Sequence, residues 1–260
     1  MKIGIVGVGA MGGAIVSRLL QHTWKSQTDF QLVICELDLH KRQQFEDYDC
    51  VVATDKISNL NNCDMVIVAV KPKAVADVLT HIAGLDISIV VSIAAGISIA
   101  ELTKISNKPV ARVMPNTPCK IGEGISAVAF SEDVQAEERN KVKQLFAVLG
   151  EIVEVEERLF PVVTALSGCG PAYVYLMIEA LIDAGCAHGL MRDTAKKLIV
   201  TTFIGSAKLL QESSLHPAVL KDQVTSPQGV TVQALHVLEQ KGLRGILWDA
   251  VNQAVNSTKE

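Results

Sequence analysis

Through position 155 the chain repeats one pattern: a short apolar run, then a stretch with apolar residues at helical spacing. The runs at 2–6, 31–36, 49–53, 64–70, 87–93 and 108–114 predict strands. The run at 64–70 (DMVIVAV) is apolar almost without alternation, as a strand buried on both faces must be. Pro72 halts it and suits the first turn of the helix that follows. Strands separated by helices predict parallel pairing through right-handed crossovers. A strand at 124–130, a helix over 134–149 and a strand at 151–155 continue the sheet.

The pattern changes at Glu156. No further strand signal occurs, and helices are predicted near 159–166, 171–188, 192–211, 216–223, 228–241 and 243–257. The stretch 159–178 carries no charge and is long enough to span a bilayer. Gly168, Gly170 and Pro171 lie in its middle, so two helices joined by a glycine turn are predicted instead of a span. The helix from Pro171 is apolar on nearly every side, through Tyr173, Val174, Leu176, Met177, Ile178, Leu181 and Ile182. A helix of that kind is buried in a large core or between subunits. The segment after 157 is too small to bury it alone, which predicts an obligate homodimer with interleaved helices.

Between the first strand and its helix stands Gly7-Val8-Gly9-Ala10-Met11-Gly12. Strand, G-x-G-x-x-G and helix in that order form the dinucleotide fingerprint. Gly7 permits the tight turn, Gly9 lets backbone approach a pyrophosphate, and Gly12 lets helix and strand lie close. The helix N-terminus offers N–H groups and partial positive charge to the phosphates. A tight turn with no ligand is the bland alternative. The fold class that follows is an α/β Rossmann-like domain with a mostly parallel sheet over 1–157. An all-α dimerisation and substrate-binding domain follows over 158–260.

Ligands of such sheets sit beyond the carboxyl ends of the strands. The turns Ala69-Val70-Lys71-Pro72, Ala94-Ala95-Gly96 and 114–118 with Asn116 therefore line one crevice, roomy enough for a flat nicotinamide. Glu36 ends the second strand, about 20 residues past the glycines, where an acid accepts hydrogen bonds from the adenosine ribose. A carboxylate there repels a 2′-phosphate and favours NADH. Lys41 and Arg42 follow closely and could hold such a phosphate, and a solvated strand-end acid is the plain reading of Glu36.

Composition narrows the partners. The 260 residues are 49% hydrophobic and 20% charged, enough for a real core, and the net charge of −4 offers no basic footprint for nucleic acid or anionic membrane. Six scattered cysteines, with no C-x-x-C pair, favour neither zinc nor a disulfide framework and fit a reducing interior. The first strand begins at once, leaving no room for a signal peptide, so a cytoplasmic location is expected.

A second informative stretch is 221–231, KDQVTSPQGVT. Ser226 before Pro227 reads as a helix N-cap with proline at N1. A helix start rich in hydroxyls and glycine also suits a small carboxylate. Another glycine turn, Ser167-Gly168-Cys169-Gly170-Pro171, introduces the apolar helix and serves equally as a close-packing joint.

With GVGAMGG (7–13), AVKP (69–72), SIAAG (92–96), MPNTP (114–118), TALSGCGPAY (164–173) and HPAVLKDQVTSPQGVT (216–231), the chain resembles pyrroline-5-carboxylate reductases over almost its whole length. The resemblance implies reduction of 1-pyrroline-5-carboxylate to L-proline by NADPH or NADH, the last step of proline synthesis. It also implies a helical dimerisation domain and, in many members, a ring of five dimers. Carried over by residue, Gly7 to Gly12, Ala69 to Pro72, Ala94 to Gly96 and Asn116 meet the cofactor. Ser226, Gly229, Val230 and Thr231 hold the substrate, and Glu157 matches an acid near it. Three departures stand out. Cys169 replaces a serine, Gln228 replaces the first glycine of Ser-Pro-Gly-Gly, and Lys56 stands where many members have an asparagine at the ribose.

Hydroxyls at the first and sixth positions of this helix-opening loop suggest that Thr231 hydrogen-bonds the ring nitrogen and Ser226, with nearby backbone N–H groups, orients the carboxylate, with protons from water. His216 and His236 flank the loop and read as structural, and Cys169 reads as a small packing residue. Two rivals remain at this stage. A related imine or 2-hydroxy-acid reductase would need a basic residue on its interdomain helix, and 164–188 offers no Lys or Arg and only His188 near its end. A non-catalytic dinucleotide sensor would have no use for the polar loop at 225–231.

Overall fold

The computed structural model describes residues 1–21 and 30–258. The chain divides into two compact units, Met1–Cys169 with the residues from Val255 onward, and Gly170–Ala254.

The first unit is built on an eight-stranded sheet in the order β3-β2-β1-β4-β5-β6-β7-β8. Its strands are β1 (Lys2–Val6), β2 (Gln31–Cys35), β3 (Val51–Thr54), β4 (Cys63–Val68), β5 (Ile87–Ser92), β6 (Val110–Pro115), β7 (Gly124–Phe130) and β8 (Gly150–Glu154). The first six pair in parallel, with Ile5 opposite Ile34 on one side and Ile67 on the other. Parallel strands feed helices α1 (Ala10–Gln21), α2 (Leu39–Gln43), α3 (Pro72–Ile82), α4 (Ile99–Ser106) and α5 (Ala136–Ala147). Both faces of the central strands are buried, while the edge strands β3 and β8 are partly open. Ile3, Ile5, Ile67 and Val91 share one apolar cluster with Ile15, Leu19 and Phe146. Val66, Val68 and Val90 share the other with Leu79, Ile82 and Leu102. Near-continuous apolar strands are the consequence.

Parallel pairing fails at one place. β7 runs antiparallel to β6, with Met114 opposite Ala127, and β8 is parallel to β7. The connection between β6 and β7 holds only a 3₁₀ turn, Thr117–Ile121, closed by Gly122 at φ +80°. A parallel partner needs a crossover of about a dozen residues or more, so a shorter link turns the strand back.

The expected break near Gly168 is also corrected. Residues Glu157–Leu159 form a 3₁₀ turn, α6 spans Phe160–Val163, and Thr164–Gly168 is a π-helical turn. Cys169 N–H donates to Thr164 O at 2.8 Å, and Cys169 keeps right-handed helical angles. The helical run Glu157–Ala187 therefore continues without a glycine turn. Wider π spacing absorbs the extra residue, and hydroxyls of Thr164 and Ser167 back-bond to Phe160 O and Val163 O. Glycine at 168 serves close approach, since a Cβ there would stand 3.0 Å from the Met114 methyl carbon.

The second unit is helical among its described residues: α7 (Gly170–Ala187), α8 (Arg192–Glu212), α9 (Pro217–Gln223), α10 (Val230–Gln240) and, as far as Ala254, α11 (Leu243–Ser257). Arg192 at the start of α8 pairs with Asp183 of α7 at 2.8 Å. In α7 only Ile182 is buried. Leu176 is 66% exposed and Trp248 72% exposed, so the apolar faces predicted from sequence lie uncovered in the single chain. By length and composition the helix Glu157–Ala187 could cross a membrane.

Candidate active site

Because β1, β2, β4, β5 and β6 are parallel, their carboxyl ends share one edge, and the predicted crevice residues gather there. Gly7 turns at φ +90°, and its N–H donates to Cys35 O at 2.8 Å. A Cβ on Gly12 would collide with the Gly7 carbonyl oxygen, whereas a Cβ on Gly9 would meet nothing within 4 Å. Gly12 is thus glycine for packing. Gly9 is glycine although the protein itself leaves the space open, which fits a ligand's close approach. Met11, in the first turn of α1, accepts from the Cys119 thiol at 3.3 Å.

The neighbouring turns are braced from within. Ala69 N–H donates to Val6 O at 2.8 Å, Val70 is half-buried, and exposed Lys71 precedes Pro72 at the start of α3. Ala94 is buried, while Ala95 and Gly96 (φ +78°) are exposed. Asn116 Oδ1 accepts Ile125 N–H at 3.0 Å and so ties the turn after β6 to the start of β7. Beyond β2, the Glu36 carboxylate accepts the Val8 N–H at 2.8 Å. Lys56, exposed just past β3, donates its N–H to Thr54 Oγ1 at 3.1 Å. Burial, reinforced by Asp55 and then Glu36, pushes the Cys35 thiol up to about 11.

Glu157 lies in a different setting. Its Oε1 accepts the Ile99 N–H at 2.6 Å, at the start of α4, and an Arg112 N–H at 2.9 Å. The Arg112 guanidinium stands 4.5 Å from the centre of the Phe160 ring. Sequence reading passed over Arg112, although a lone cation inside an apolar strand is a visible signal. Asp38 and Asp55 were also passed over, since their roles depend on which cations the fold sets beside them.

In the second unit, the structure corrects the helix start. α10 begins at Val230 with Gly229 as its N-cap, not at Pro227 behind Ser226. Residues 226–229 form a turn in which Gly229 N–H donates to Ser226 O at 3.0 Å. Pro227 sits at its second position and Gln228, at φ +57°, at its third, as a type II turn requires. The turn folds Ser226 Oγ over Gly229, where a Cβ would collide with it. Hydroxyl, glycine and the exposed first residue of a helix thus converge, with Thr231 half-buried beside them. Such a helix start accepts a carboxylate. His216 caps α9, its Nδ1 accepting Ala218 N–H at 3.2 Å, which bears out a structural role.

Residues 157–260 match the family model described as pyrroline-5-carboxylate reductase dimerisation, and residues 2–96 match the one described as NADP oxidoreductase, coenzyme F420-dependent. The pyrroline-5-carboxylate reductase of Synechocystis is 38% identical, the alignment covering 100% of this chain and 98% of that one. The structure of a pyrroline-5-carboxylate reductase from Coxiella burnetii is similar with a TM-score of 0.90 at 30% identity, over 99% of this chain and 97% of that one. A Plasmodium falciparum pyrroline carboxylate reductase solved with NADP bound gives 0.85 at 30% identity, over 100% and 97%. Likeness of that degree, carried from end to end of both chains and through both units, means that the chain belongs to the pyrroline-5-carboxylate reductase family.

Proposed function

We infer that the chain reduces 1-pyrroline-5-carboxylate to L-proline with NADPH or NADH, the closing step of proline synthesis. The observation that carries this reading is the full-length likeness to reductases of that name. The open face of Gly9 and the fixed backbone of the 7–12 turn support it, because they fit a dinucleotide. When bound, the reduced nicotinamide supplies a hydride to the imine carbon.

The chain's own residues hold and orient. Gly7 to Gly12 and the first turn of α1 receive the diphosphate. Ala69 to Pro72, Ala94 to Gly96 and Asn116 line the nicotinamide end, and Glu36 and Lys56 the adenosine end. The Ser226 hydroxyl and the N–H of Val230 orient the substrate carboxylate, with Gly229 giving it room to approach, and the Thr231 hydroxyl hydrogen-bonds the ring nitrogen. Water delivers the proton. Glu157 is a positioning residue that steadies the turn before α4. A partner subunit covers the apolar face of α7, and five such dimers close into a ring. Functionally we divide the chain into a dinucleotide domain, 1–157, and a dimerisation and substrate domain, 158–260. Six free cysteines accord with the cytoplasm.

Oxidation of NADH or NADPH on addition of pyrroline-5-carboxylate, with L-proline identified by mass, tests the activity. Thr231→Ala is expected to lower kcat by about tenfold to a hundredfold, the worth of a lost hydrogen bond of roughly 1–3 kcal/mol. Thr231→Ser should retain most turnover. Unchanged rates in both variants would remove Thr231 from the mechanism.

A further inference from the structure

The corner beyond β2 is crowded with carboxylates. Glu36 accepts the Val8 N–H through one oxygen and the Asp38 N–H, at 3.1 Å, through the other. Asp38 caps α2 by accepting the His40 and Lys41 N–H groups, and lies 3.8 Å from the Lys41 ammonium. Arg42, its side chain nearly buried, donates to the Glu36 carbonyl at 3.0 Å and pairs with Asp55 at 3.5 Å. A cavity of about 340 Å³ opens at this corner, lined by Gly7, Glu36, Asp55, Asp77 and His81, the last 3.9 Å from Asp77. Both cations of α2 therefore already have a carboxylate beside them, which lowers what they offer a phosphate. Exposed Lys56 is a further cation of the corner, a solvated point charge on a flexible stem.

We propose that Glu36, held by the Val8 N–H and backed by Asp38 and Asp55, is the residue that selects NADH over NADPH. Its carboxylate accepts hydrogen bonds from the adenosine ribose hydroxyls and repels a 2′-phosphate. This rests on the reductase reading above and goes further, because the family likeness leaves the cofactor's phosphate undetermined.

The test titrates the protein with NADH and NADPH in the absence of substrate, by nicotinamide fluorescence, and then measures kcat/KM for both. NADH is expected to bind at least about tenfold more tightly, the difference appearing in KM rather than kcat. Glu36→Gln keeps an oxygen for the Val8 N–H and removes the charge. It should narrow the preference by about fivefold or more, chiefly by strengthening NADPH. Equal or tighter binding of NADPH by the unmodified protein overturns the proposal. So does a folded Glu36→Gln protein with an unchanged ratio, and if that variant fails to fold the unmodified ratio alone decides. NADH preference without reduction of pyrroline-5-carboxylate would sink the reductase reading and leave this one standing.

Discussion

Gly9 and Gly12 look alike in the sequence, yet the structure separates their reasons. Gly12 has no room for a side chain against the Gly7 carbonyl, and Gly9 has open space. Gly12→Ala should therefore destabilise by about 3 kcal/mol, the upper end of overpacking penalties, because the obstacle is backbone. Gly9→Ala should leave the melting temperature within a degree or two of the parent, since surface changes cost about 0.5 kcal/mol or less, while weakening dinucleotide binding. Thermal melts and nucleotide titration of the two variants check this pair, and equal melting temperatures would contradict it. Gln228 shows a cost the chain accepts. Its φ of +57° suits the glycine of the family pattern, and a left-handed non-glycine residue costs about 1–2 kcal/mol. Turn geometry explains why the family favours glycine there, and nothing in the structure explains the glutamine. Cys35 and Cys63 are buried thiols pushed from 9.0 to about 11. Their protonated forms favour the folded state fully below pH 9, and that contribution is lost as the pH rises through about 11. Urea midpoints measured across this window should fall more steeply in the parent than in Cys35→Ala/Cys63→Ala.

Elements meet at Glu157. One carboxylate joins the first N–H of α4, a cation from β6 and the start of the helical run that follows. Side-chain exposures of 12% for Arg112 and 30% for Glu157 place the pair between surface and core. Removing the acid should cost roughly 2 kcal/mol, between the values for exposed and buried pairs. Glu157→Gln keeps an acceptor for Ile99 and should cost less than Glu157→Ala. If Glu157 positions rather than contacts substrate, both variants lower the melting temperature and leave the KM for pyrroline-5-carboxylate within about twofold. A tenfold rise in KM with an unchanged melt would instead put Glu157 on the substrate. The π turn at Thr164–Gly168 plays a similar part, letting backbone at Gly168 approach Met114 beside the turn that carries Asn116.

For the whole molecule the decisive fact is an uncovered apolar helix. Tyr175 is 62% exposed, and Leu176 and Leu181 are also open, in a unit whose family match is a dimerisation model. A second copy of this helix is the natural cover. Leu176→Glu is expected to shift the protein from dimer to monomer at micromolar concentration in sedimentation velocity, with loss of solubility or activity. A Leu176→Glu protein that sediments as the parent does would refute that placement.

Much of this was legible beforehand, and the reasons are local. Apolar runs, Pro72 and the glycine turn specify strands and helices through backbone conformation and burial, which depend on neighbours in the chain. The order of elements then implied a mostly parallel sheet and an all-helical remainder. The tertiary structure alone decided what depends on residues distant in sequence. It reversed β7, because the link from β6 is too short to cross the sheet. It carried the helix through Gly168 on a π turn, where the Cys169 N–H reaches back to the Thr164 carbonyl. It moved the start of α10 to Val230, because Pro227 and Gln228 close a turn instead. It set Asp55 on Arg42 and Arg112 on Glu157, pairings between charges from separate elements that no spacing along the chain could announce.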